Sequence, residues 1–151
     1  MDLFSTKIAR NKLNHNFKTI YTDPKLAPVR AVIQSWGRGL LERSGEQTKF
    51  INEFQTTFNS SMWELYLNEM FIRLGYSVDY TKDSPDFCVS TPLGYKFNVE
   101  AMVSDKPHKP PVSEIFSEAK FKHQSTLKLL GKIKDKRDLF TGINGKKFQI
   151  G

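Results

Sequence analysis

One cysteine, Cys88, in 151 residues leaves no internal disulfide and no zinc site built from several thiolates. The three histidines, His15, His108 and His123, stand far apart, and neither His15 nor His123 has a second ligand type nearby. No run of apolar residues approaches the roughly 18 needed to span a membrane, and Met1 to Arg10 lacks the apolar stretch of a secretory signal. A reducing, cytoplasmic setting without membrane contact is therefore expected. There is no GxxxxGK phosphate loop, which argues against an NTP-driven motor, and there is no internal repeat or low-complexity tract. With 38% apolar and 26% charged residues the chain has the composition of an ordinary soluble protein, long enough for a single hydrophobic core.

What is present is unevenly placed. Residues 1–119 hold 14 basic and 14 acidic side chains, whereas 120–151 hold nine basic residues against Asp135 and Asp138, so the net +7 belongs to the last 32 residues. Such a block suits a phosphate backbone, because each neutralised phosphate releases counterions. A solvated amphipathic helix or a basic tail has the same composition.

Residues 1–22 mix polar and basic residues with scattered Leu3, Phe4, Ile8, Leu13, Phe17 and Ile20, which predicts an arm or short helix ahead of a single domain over 23–151. Pro24 and Pro28 punctuate a turn, after which Val29, Val32, Ile33 and Trp36 recur at helical spacing. Arg30, Arg38 and Arg43 are candidates for phosphate contact, although solvation is the ordinary role of arginines on a helix. A second helix is expected over 46–57, with Phe50, Ile51, Phe54 and Phe58 as packing residues. Asn59-Ser60-Ser61 reads as an interruption, and a largely buried helix as running from Met62 to about Leu74, with Gly75 as its C-cap. There, Ser61 and Glu64 have the spacing of a capping box.

Strands follow at Tyr76–Tyr80, Phe87–Ser90 and Tyr95–Val103, the last two joined through Thr91-Pro92-Leu93-Gly94, whose Pro and Gly are turn formers. Alternation puts Asn98, Glu100 and Met102 on one face and Phe97, Val99, Ala101 and Val103 on the other. Asp86 enters the second strand and Glu100 lies in the third. Two carboxylates across a hairpin repel unless a cation sits between them, and Mg²⁺ is commonly held by one or two carboxylates with waters and substrate phosphates completing its shell. The alternative is that Asp86 serves the turn after Pro85 and Glu100 a solvated edge. Cys88 reads as a small core residue. Ser104–Pro111, with Lys106, His108 and Lys109, reads as a loop, followed by helices over 113–122 and 125–137 with Gly131 as a weak point, and by a strand starting at Lys147.

The order of motifs adds to this. Phe54-Gln55-Thr56-Thr57-Phe58, then Trp63-Glu64-Leu65-Tyr66, then Leu74-Gly75-Tyr76, then Pro85-Asp86-Phe87, then Val99-Glu100-Ala101 resembles the active-site core of the PD-(D/E)XK nuclease superfamily, in particular bacterial restriction-endonuclease-like proteins. The resemblance covers roughly residues 30–137. It implies an α/β fold with an αβββα core, a three-strand meander behind a buried helix, here with extra N-terminal helices. It implies a Mg²⁺ site, with Mn²⁺ as substitute, on Asp86 and Glu100, an assisting acid at Glu64, and DNA as partner. A homodimer is also within its scope, and the early end of the chain suggests a missing sheet edge.

The superfamily's lysine, two residues after the second acid, falls on Met102, and a thioether neither donates a proton nor stabilises an anion. Either the ammonium has migrated or catalysis is lost. Lys132 on the basic helix is the first candidate, ahead of Lys134 and Lys96; Lys96 lies about 13 Å along the strand from Glu100 at roughly 3.3 Å per residue. Lys128, Lys132, Lys134, Lys136 and Arg137 form the candidate surface for the phosphodiester backbone. A catalytically inactive nucleic-acid-binding module and a protein-interaction domain with a basic tail are the rival expectations.

Overall fold

The computed structural model describes residues 1–43, 45–82, 84–103 and 118–140, and the chain divides into two compact units, Met1–Ala101 and Met102–Gly151. The described residues form five α-helices and one three-stranded antiparallel sheet, a mixed α/β arrangement. The expected loop over 104–111, the helix over 113–122 in its first part and the strand from Lys147 lie outside the described residues.

In the first unit, α1 (His15–Thr22) starts where the Asn14 side chain accepts from the N–H of Asn16 at 2.8 Å. After Asp23 caps a short turn through the N–H of Lys25, α2 (Ala27–Ser35) begins with Pro28 inside its first turn, where a missing N–H costs nothing. α3 (Gln47–Thr56) follows as expected. Its Phe54 is fully buried, edge-on to Phe4 at 5.6 Å and to Phe17 at 5.7 Å. Of the two forms expected for the first 22 residues, a short helix is present as α1, and it packs onto the core. Leu3, Phe4, Leu13 and Phe17 are all buried, and the buried Gln55 amide donates to the carbonyls of Leu3 and Ser5, so the segment is fixed by polar as well as apolar contacts.

The next helix departs from expectation at its start. α4 spans Asn59–Arg73, so Asn59-Ser60-Ser61 forms its first turn and not an interruption. Phe58 reverses the chain at φ 59°, is buried itself, and its carbonyl accepts the N–H of Met62 at 2.8 Å. Burial of that ring holds the backbone in a region a non-glycine residue seldom occupies. Ser61 is therefore inside the helix, and Ser61 with Glu64 is not a capping box. α4 is also less buried than its apolar residues suggest: Tyr66 and Leu74 are exposed, while Ser61, Asn68 and Glu69 are buried. Gly75, at φ 73°, ends it as expected, with the N–H of Tyr76 returning to the carbonyl of Phe71.

β1 (Ser77–Val78), β2 (Phe87–Ser90) and β3 (Lys96–Val99) pair in the order β1-β2-β3, both pairs antiparallel. β1 is shorter than expected, and β3 stops at Val99 and does not reach Val103. Val78 faces Val89, and Phe87 faces Val99, so one sheet face meets the core, where Phe71 packs edge-on to Phe87 at 5.5 Å. The turn closes through the N–H of Gly94 to the carbonyl of Thr91.

In the second unit, one helix, α5 (Glu118–Phe140), replaces the two expected. It passes through Gly131 unbroken; a single glycine costs a helix interior only about 1 kcal/mol relative to alanine. Leu127, Leu130 and Ile133 are exposed on it. No helix among the described residues is long and apolar enough to cross a membrane.

Candidate active site

The β2–β3 register sets Phe87 opposite Val99 as its last pair. Continued by one position, the same register puts Asp86 opposite Glu100, and opposite residues of an antiparallel pair share a face. The two chains are still side by side there, because the N–H of Ala101 donates to Oδ2 of Asp86 at 2.7 Å. Both acids are partly buried. They lie on the face of Cys88 and Asn98, opposite to the core face of Phe87 and Val89, and Cys88 is half-buried there and not a core residue. Pro85, behind a cis peptide, is buried and fixes the approach to Asp86.

Among the described residues Oδ1 of Asp86 accepts no hydrogen bond, so one carboxylate oxygen is held and the other is available. No three His, Cys, Asp or Glu side chains gather as metal ligands among the described residues. Glu64 thus does not complete a three-carboxylate cage with Asp86 and Glu100. It lies in α4, half-buried, near enough to Lys49 to help raise that ammonium's pKa, an effect due first to the hydrogen bond and charge of Glu46. Among the described residues the acids at the end of the hairpin are Asp86 and Glu100. That set fits a hard divalent cation that keeps several waters, the habit of Mg²⁺.

Each of the three arginines singled out in the sequence has a defined partner. Arg30 donates to the carbonyls of Ile20 and Asp23 at 2.7 and 2.9 Å, closing the end of α1. Arg38 pairs with Glu69 at 3.2 Å, and Arg73 reaches the same carboxylate at 2.7 Å. These arginines, Arg73 first, hold the Glu69 carboxyl below its ordinary range. Arg43 donates to the main-chain carbonyl of Asp86. Its guanidinium carbon lies 6.0 Å from the ring centroids of both Tyr80 and Phe87. Nothing in the local sequence singles out Arg43 from the other two.

The remaining candidates are distributed as follows. Lys96 is exposed and pairs with Ser90 at the end of β3 remote from Glu100. Lys128, Lys132, Lys134, Lys136 and Arg137 lie on α5 in the second unit, where the Lys132 ammonium donates to the carbonyl of Val103. Met102 is half-buried. His15 and His123 are exposed. Lys106, His108 and Lys109 lie outside the described residues. A separate groove of about 360 Å³, lined by Trp36, Tyr66, Glu69, Met70, Arg73 and Leu74, contains none of the candidate acids.

Comparison with known proteins yields no match: no family model, curated protein or solved structure is similar to the chain.

Proposed function

We propose that the chain is a metal-dependent nuclease-like protein that hydrolyses phosphodiester bonds of DNA. One observation carries this reading: the hairpin that follows α4 and β1 sets Asp86 and Glu100 opposite each other just past the last strand pair, with Asp86 oriented by the Ala101 N–H. Two carboxylates set opposite each other repel, and a divalent cation between them offsets that repulsion.

In this reading Asp86 and Glu100 hold Mg²⁺, or Mn²⁺ in its place. The ion, when bound, supplies an acidified water and charge compensation on the scissile phosphate. Water oxygen forms a bond to phosphorus, the ester P–O bond breaks, and the proton lost by water ends on the departing alcohol, leaving a phosphate monoester. The chain's own part is to keep the Asp86 carboxylate in one orientation and to hold the DNA backbone through the lysines of α5, contacts that give affinity without sequence information. Lys132 is the sequence's first candidate for the ammonium absent at Met102, and Lys132→Ala reads its share.

A second reading is favoured by Met102 itself: a module of the same architecture that binds nucleic acid without cutting it. Nicking of supercoiled plasmid by the purified protein in Mg²⁺ and in Mn²⁺, with EDTA and Asp86→Ala as controls, separates the two. Cleavage that disappears in both controls supports the nuclease. Binding at low salt with no cleavage in either metal supports the module.

A further inference from the structure

We propose that the groove between the end of α2 and α4 binds a single nucleotide, with the base against Trp36 and Tyr66 and the phosphate on Arg73 and Arg38. The groove contains none of the candidate acids, and the inference rests on the nuclease reading only for the choice of a nucleotide among planar anions. Tyr66, Glu69, Met70, Arg73 and Leu74 line it from α4 at offsets of three, four, seven and eight residues from Tyr66, which is one helix face. Trp36, the C-cap of α2, supplies the remaining wall. Its backbone is fixed there, because the fully buried Asn68 amide donates to the Trp36 carbonyl at 2.8 Å.

Two features of the lining decide the chemistry. The first is flat apolar surface open to solvent: Tyr66 is 46% and Leu74 54% exposed. The Trp36 and Tyr66 ring centroids lie 6.2 Å apart with their planes at 73°, so one ring presents its face where the other presents its edge, a corner that accepts a third ring. The volume of about 360 Å³ is at the low end of small-molecule sites, roughly 300–1,000 Å³, and is the scale of one base with its sugar phosphate. The second feature is charge. Glu69, only 8% exposed, takes Arg73 Nε at 2.7 Å and Arg38 at 3.2 Å, so two guanidiniums share one carboxylate and one positive charge is left over. Both arginine side chains stay largely exposed, and among the described residues the two terminal nitrogens of Arg73 make no hydrogen bond. A planar fork anchored at one nitrogen and open at two is prepared for phosphate oxygens. A neutral apolar ligand leaves that charge unanswered, and inorganic phosphate leaves the rings uncovered. A nucleotide answers both.

The test is a fluorescence titration of the full chain carrying Trp63→Phe, which keeps a ring against Tyr66 and leaves Trp36 as the sole tryptophan. Deoxyadenosine monophosphate is expected to quench Trp36 saturably. Arg73→Gln is expected to weaken that binding about 10-fold or more, with Arg73→Lys intermediate; Arg38 still holds Glu69 in both variants. Deoxyadenosine without phosphate is expected to bind about as weakly as the monophosphate does to Arg73→Gln, and inorganic phosphate to compete poorly. A single-stranded oligodeoxyadenylate separates the two sources of the nucleotide. Quenching by the monophosphate supports a site for a free nucleotide, and quenching by the oligonucleotide alone, weakened by Arg73→Gln, supports a site for one residue of a strand. No quenching by either, quenching that Arg73→Gln leaves unchanged, or equal competition by inorganic phosphate overturns the assignment. So does a dimer in analytical ultracentrifugation that Tyr66→Ser dissociates, which seats a second copy of the chain on the groove. No arm reads cleavage, so a protein that cuts nothing overturns the nuclease reading while the titration still decides this site.

Discussion

The backbone N–H of Ala101 donates to the Asp86 carboxylate at 2.7 Å, across the point where the β2–β3 ladder has ended. That bond orients the acid and also supports the hairpin. Asp86→Asn keeps an acceptor for the Ala101 N–H but removes the charge, so it is expected to melt close to wild type while losing any effect of Mg²⁺ on melting temperature. Asp86→Ala removes both and is expected to cost about 1–3 kcal/mol besides. Thermal melts with and without Mg²⁺ separate the two; a Mg²⁺ shift that survives in Asp86→Asn would remove Asp86 from the metal site.

Asn68 is the polar centre of the first unit. Its amide donates to the carbonyls of Trp36 and Arg38 at 2.8 and 2.9 Å, and it accepts from Tyr80. Asn68→Ala is expected to cost about 2–4 kcal/mol, since it strands several buried groups at about 1–3 kcal/mol each. Gly39 makes the same region intolerant of side chains: at φ 75° a Cβ would stand 2.2 Å from the Tyr80 ring. Gly39→Ala is expected to destabilise by both strain and clash, and denaturant titration of each variant checks the two values.

Glu69 predicts an acid limb of stability. Its carboxyl titrates lower in the folded chain than in the unfolded one, chiefly through the Arg73 hydrogen bond. Its contribution is therefore complete above the ordinary range near pH 4 and is lost as pH falls further. Wild type is expected to lose stability on acidification below about pH 4, and Glu69→Gln to lose less over the same interval. Equal pH dependence of the two proteins in denaturant melts would remove Glu69 as a source.

The basic residues of α5 predict the salt response. If Lys128, Lys132, Lys134, Lys136 and Arg137 contact phosphates, each Lys→Gln change is expected to flatten the plot of log affinity against log salt by about 0.9 on duplex DNA. Fluorescence anisotropy over a salt series reads that slope directly. An unchanged slope in the quadruple Lys→Gln protein would place the phosphate contacts elsewhere.

Leu3 tests the packing of the N-terminal segment. It is fully buried, so Leu3→Ala is expected to cost about 2–5 kcal/mol, whereas a solvated residue would cost almost nothing. Chemical denaturation decides between them.

Several features were legible in the sequence because they are encoded within a few residues. The spacing of Phe50, Ile51 and Phe54 marks α3, Gly75 marks the end of α4, and Thr91 to Gly94 marks the turn that makes β2 and β3 adjacent. From that turn the pairing of Asp86 with Glu100 follows by counting, since strand alternation has period two.

What only the tertiary structure decided depends on partners far along the chain. Local spacing could not show that Gln55 holds the N-terminal segment, that Asn68 faces Trp36 and Tyr80, or that a buried Phe58 moves the start of α4 to Asn59. Nor could it show which of three similar arginines reaches Asp86. Helix propensity and periodicity act over one or two turns, whereas the partner of a long polar side chain is set by which elements the core brings together.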